Sequence, residues 1–174
     1  MRSRIPHLLL VAVLATLAAV LTVAPADAAA RVQHDTRGDA PAKYDVVRVG
    51  YHNGARRFRG TIDLRHLTQQ RTALVLSLKD GAGNRYFTTA VRKPGGIEHR
   101  HFLMFPHHFD ADTVPALGCK GLSVRWRTAR STVTVTIPRA CLRDAKGLTA
   151  VLRTGDPRAE RAADRTARAF VRYR

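Results

Sequence analysis

Four histidines and two aspartates fall within residues 99–112: His99, His101, His107, His108, Asp110 and Asp112. On an extended strand, side chains two positions apart leave the same face, so His99 and His101 can approach one cation together. His107 or His108, with a carboxylate from the loop that follows, would complete a Zn or Cu site, because imidazole and carboxylate are the donors those metals take. Weighing against this, an H-x-H pair is a common accident, Arg100 stands between the two, and exposed imidazoles in a basic chain account for the same residues without metal.

A second set is purely oxygen-bearing. Asp35, Asp39 and Asp45 precede and open the first alternating run, where carboxylates and loop carbonyls can hold Ca²⁺ in an extracellular sandwich domain. Their spacing is not that of an EF-hand loop, and turn-forming aspartates need no ion. Asp80 and Asn84 bracket two glycines and read as a hairpin turn. Arg37-Gly38-Asp39 spells an adhesion tripeptide, a match too short to carry weight.

A third set is cationic. Arg57 and Arg59 alternate on one run, Arg125 and Arg127 on another, with Arg56 and Arg130 nearby. Such arginines are usually a solvated face, but on a flat sheet they form an anion-binding strip. Catalytic signatures are missing: there is no G-x-S-x-G elbow, H-E-x-x-H pair, phosphate loop or dinucleotide fingerprint. An enzyme is therefore the less favoured reading.

These residues need strands to position them, and period-2 alternation dominates the chain. Asp45 to His52 places Val47, Val49 and Tyr51 on one face. Asn53-Gly54 signals a two-residue type I′ hairpin turn, after which Arg57 to Leu64 returns with Phe58, Ile62 and Leu64 inward. Thr72 to Lys79 brings Leu74, Leu76 and Leu78, and the Asp80–Asn84 turn leads to Arg85 to Arg92 through Tyr86, Phe87 and Val91. Glu98 to Phe105 follows, then an irregular stretch from Pro106 to Gly121. Val124 and Trp126, then Val133, Val135 and Ile137, mark another hairpin, and Leu148 to Arg153 an eighth strand. In the tail, Asp156-Pro157 can cap a short helix, with Phe170 to Tyr173 as a terminal strand.

Cys119 and Cys141 are the only cysteines and flank the hairpin from Leu122 to Ile137, which brings them together at its open end. A C-x-x-C redox spacing is absent, so the expectation is a structural disulfide. The fold expected is all-β: an antiparallel, jelly-roll-like β-sandwich of about eight strands with one disulfide and a short C-terminal helix or extended tail.

Residues 1–28 read as a signal peptide: Arg2 and Arg4, an apolar run from Leu8 to Val23, and the Ala26-Asp27-Ala28 cleavage pattern. That run is short for a spanning helix, and no Cys follows it to take a lipid, so no stable membrane anchor is expected after cleavage. Residues 29–44 read as an extended N-terminal arm and residues 45–174 as a single sandwich domain, secreted and extracellular.

Export takes the formal net charge from +17 only to +16, since residues 1–28 hold two arginines and one aspartate. The excess favours anionic partners such as cell-wall polymers or acidic glycans. The charges are spread along the chain and not interleaved with aromatics, so no dedicated nucleic-acid motif is present.

Asp35-x-x-Gly38-Asp39, then Asp45-Val46-Val47-x-Val49-x-Tyr51-His52, Cys119-x-Gly121-Leu122-x-Val124-x-Trp126 and Val133-x-Val135-x-Ile137-Pro138-Arg139-x-Cys141-Leu142 together resemble small, uncharacterised secreted β-sandwich proteins of actinobacteria. The resemblance spans most of the mature chain. It implies a sandwich somewhat similar to carbohydrate-binding modules, with no catalytic residues. Trp126 alternates with core residues, which leaves no platform for stacking a sugar. The expected function is a secreted, non-enzymatic binding domain for an anionic cell-envelope or extracellular ligand. The alternative is extracellular Zn or Cu binding through the His99 to Asp112 segment.

Overall fold

The computed structural model describes residues 29–96, 98–106, 116–159 and 161–173. The proposed signal peptide therefore lies outside the described residues. The described residues form twelve strands: β1 (Ala29–His34), β2 (Val46–Asn53), β3 (Arg57–Leu64), β4 (Thr72–Asp80), β5 (Arg85–Arg92), β6 (Glu98–Phe105), β7 (Ala116–Leu117), β8 (Ser123–Arg127), β9 (Thr132–Pro138), β10 (Gly147–Gly155), β11 (Asp164–Arg165) and β12 (Ala169–Arg172).

They form two antiparallel sheets. One has the order β1-β2-β3-β9-β8, the other β11-β10-β4-β5-β6-β7, with β12 pairing β10 beside β11. The chain is an antiparallel β-sandwich with one disulfide, and the eight expected strands are β2–β6 and β8–β10. The apolar rows that alternation places inward close on one another: Val49, Tyr51, Phe58, Ile62, Val133, Val135 and Ile137 from the first sheet meet Leu74, Leu76, Leu78, Tyr86, Leu148 and Leu152 from the second. Cys119 and Cys141 are bonded, with their Cα atoms 5.7 Å apart, across the open end of the β8–β9 hairpin.

Several expectations are corrected. A bulge between Val46 and Arg48 opposes two β2 residues to one on β3, so Val46, not Val47, reaches the core and Val47 is half-buried. The β2–β3 turn is centred not on Asn53-Gly54 but two residues on, on Ala55-Arg56, with Gly54 N–H donating to Arg57 O at 3.1 Å; Asn53 stays in its strand, its buried amide accepting from Arg139 Nη1 at 2.7 Å. Phe87 and Val91 lie on the outer face of β5, whereas Tyr86, Thr88 and Ala90 point inward.

The N-terminal arm is not free: residues 29–34 pair with β2 in continuous register. The tail holds no helix among the described residues. Asp156 closes a single turn, accepting from Arg158 N–H at 2.9 Å on its side chain and Ala159 N–H at 3.0 Å on its carbonyl. β11 and β12 then cover the free edge of β10. Gln33 on β1 donates to Arg168 O at 3.2 Å, so this edge also meets the edge of the other sheet.

Candidate functional site

The outer face of the first sheet gathers four arginines. Strand parity turns Arg57 and Arg59 of β3 outward while Phe58 is fully buried, and does the same for Arg125 and Arg127 of β8 around Val124. β9 lies between these strands, with Arg59 opposite Thr136 and Arg125 opposite Thr134. The result is an open groove of about 350 Å³, walled by Arg57, Arg59, Arg125 and Arg127 and floored by Thr61, Thr134, Thr136 and Ser123. No carboxylate lines it. Arg neighbours on one strand stand about 7 Å apart, and the two arginine rows about 10 Å apart across β9. At one end, Asp63 accepts from Arg48 Nε at 2.8 Å and from the Thr132 hydroxyl at 3.1 Å, which occupies the carboxylate outside the groove.

Chemically this face offers guanidinium forks and hydroxyl donors to oxyanions, from side chains held on rigid strands. Charge-bearing groups repeat in two dimensions, which suits an extended polyanion more than one small anion.

The acidic residues meet elsewhere, at the end where the segment before β2 touches β11. Asp39, Asp45 and Asp164 each bring a carboxylate oxygen within 4.8 Å of the others. Asp45 is fully buried, and its Oδ2 accepts from Gly38 N–H at 2.8 Å and faces Arg65 Nη1 at 3.4 Å. Gly38 takes φ +91°, a left-handed conformation that glycine adopts without strain, and this aims its N–H at Asp45. Asp164 Oδ2 accepts from Val46 N–H at 2.7 Å, and its Oδ1 from Arg165 N–H at 2.6 Å. Asp35 stands at the margin of the group, bonded to Thr36 N–H at 3.0 Å. Burial, then the neighbouring carboxylates Asp39 and Asp45, hold Asp35 above the ordinary carboxylate range. Burial likewise raises Asp164, against the lowering effect of its two backbone donors. Burial also pushes the Tyr51 phenol up to about 12.

The histidine segment is only partly in view. His99 and His101 are exposed on β6, opposite Val91 and Thr89. His107, His108, Asp110 and Asp112 lie outside the described residues. Among the described residues, the one group of three or more converging His, Cys, Asp or Glu ligand atoms is the aspartate cluster.

No model of a protein family matches the chain, and no curated protein matches it either. Function therefore has to be argued from these surfaces. The structure brings together all four arginines named from sequence and joins Asp39 to Asp45. It adds Asp164, which sequence reasoning passed over because 119 positions separate it from Asp45, and no local spacing links them. The hydroxyl floor of the groove was equally silent, although the alternation of Thr132, Thr134 and Thr136 with Val133 and Val135 carried the signal.

Proposed function

We propose that this protein is an exported, non-enzymatic sandwich domain that binds an anionic polymer of the cell envelope or its surroundings across the arginine face of β3, β9 and β8. The observation that carries this reading is the groove whose lining holds four arginines, three threonines and a serine, with no acidic residue. The net charge, +17 for the full chain and +16 without residues 1–28, adds a long-range field that draws polyanions to the molecule. A disulfide between the only two cysteines fits an oxidising compartment, and no helix among the described residues is long and apolar enough to cross a membrane. Export itself is inferred from the basic, apolar and small-residue pattern of residues 1–28.

The test is retention of the mature protein on two immobilised probes, inorganic polyphosphate and polygalacturonate, over a salt gradient. Binding at low salt that weakens steeply by about 0.5 M NaCl is expected, because exposed guanidiniums act through screened charge. Absence of retention on both probes, or retention insensitive to salt, would overturn the reading.

A further inference from the structure

We infer that Asp39, Asp45 and Asp164 form a calcium site that clamps the segment before β2 to β11, with Asp35 adding negative charge at its margin. Asp39 and Asp45 come from the connection between β1 and β2 of one sheet and Asp164 from β11 of the other, and their ligand atoms lie within 4.8 Å of one another. That limit is about twice a Ca²⁺–oxygen bond of 2.4 Å, so three oxygens inside it can share one calcium ion. Mg²⁺ demands near-ideal octahedral geometry at about 2.1 Å and gives up its waters reluctantly, so carboxylates already fixed by backbone donors suit the more flexible calcium shell better. The donor set holds oxygen alone, without imidazole or thiolate, which disfavours Zn and Cu.

A second observation points to a cation as the partner of these oxygens. Asp45 Oδ2 is occupied by Gly38 and Arg65, but Asp45 Oδ1, on a side chain with no solvent exposure, has no hydrogen-bond donor. Asp35 Oδ2 is buried and undonated in the same way. Buried carboxylate oxygens without a donor are costly, and a cation is the partner that satisfies several at once. Arg65 is the guanidinium paired with the cluster, one cation against three converging carboxyl groups. Asp39 is exposed, which opens the site to solvent and leaves room for water to complete the six to eight oxygens that calcium takes.

Calorimetric titration and thermal unfolding of the mature protein, first stripped with EDTA, test the site with CaCl₂ and MgCl₂ as probes. The expected result is one Ca²⁺ per chain with a Kd of about 0.1–1 mM, as in extracellular modules, and a Tm raised by about 5 °C at saturation, with Mg²⁺ far weaker. Asp39→Ala removes an exposed ligand without disturbing the fold and should weaken Ca²⁺ at least tenfold. Asp164→Asn, which keeps an acceptor for Val46 N–H, should do the same. No heat and no Tm shift up to 10 mM Ca²⁺ would overturn the proposal. So would equal effects of Mg²⁺, or undiminished Ca²⁺ binding by Asp39→Ala.

Discussion

Asp164 Oδ2 accepts the backbone N–H of Val46 at 2.7 Å, a bond between residues 118 positions apart that ties β11 of one sheet to the first residue of β2 in the other. Around it, the Thr154 hydroxyl donates to Tyr44 O, and Ala163 N–H donates to Thr154 O at 2.8 Å. The tail is thereby a structural closure of the sandwich, and the carboxylate that makes the closure belongs to the aspartate cluster.

Replacing that carboxylate separates its two roles. Asp164→Ala leaves a buried N–H without an acceptor, which costs about 1–3 kcal/mol. Asp164→Asn keeps an amide oxygen for Val46 and should lose clearly less. Urea unfolding of both variants, in EDTA to exclude any cation, measures the difference. Equal losses would show that the hydrogen bond contributes little.

The pH dependence in EDTA has a definite sign. Asp35 and Asp164 are raised above their unfolded value of 3.8, chiefly by burial. Their favourable contribution is thus full below about pH 3.8 and is lost as pH rises through the folded values. Around them stand Asp39 and Asp45, Arg65 paired with Asp45, and the Tyr51 phenol, which titrates far above this window. Other carboxylates superimpose their own acid loss, so the comparison is with Asp35→Asn. Between pH 7 and 4, the unsubstituted protein should gain stability relative to that variant. A difference that is flat with pH would mean that Asp35 is not perturbed.

The arginine face predicts a charge effect that depends on position. Arg57→Ala with Arg59→Ala should weaken polyphosphate binding about tenfold at low salt, equivalent to about 1.4 kcal/mol. The control is Arg85→Ala with Arg153→Ala, two exposed arginines on the other sheet that remove the same charge. Its loss should be markedly smaller. Matching losses would mean that net charge alone, and not the groove, does the binding.

Reduction of Cys119–Cys141 should destabilise the fold by about 3 kcal/mol, because the bond closes a loop of 22 residues' separation in the unfolded chain. Chemical denaturation with and without reductant, checked against Cys119→Ala with Cys141→Ala, measures it. The effect should leave polyanion affinity under native conditions unchanged, since the groove residues sit on strands paired along their full length.

Strand order along the chain was legible where one face is apolar and the other polar. β3, β8 and β9 alternate without interruption and β4 does so from Leu74 onward, and Phe58, Leu76, Val124 and Val135 lie where alternation puts them. Alternation failed at Val46, where one inserted residue reverses the faces; at β5 it holds but hydropathy misleads, since Thr88 is buried and Phe87 is not. Neither departure has a local signal, because each reflects what the opposing sheet packs against. β1, β7 and β11 were missed, β7 because it lies in the stretch from Pro106 to Gly121 read as irregular, and β12 was read only as a terminal strand: edge pairing with β2, β6 or β10 stabilises them more than any pattern of their own.

The sequence by itself determined the all-β class, the central hairpins, the disulfide and the outward placement of four arginines, because each follows from spacing within a strand or a hairpin. The tertiary structure decided which strands lie side by side. Only the insertion of β9 between β3 and β8 makes two separate arginine pairs into one groove floored with hydroxyls. Only the return of the tail to the start of β2 brings Asp164 to Asp39 and Asp45. Contacts across more than a hundred residues are chosen by the burial of two whole sheets against each other, and that choice leaves no periodic trace in the chain.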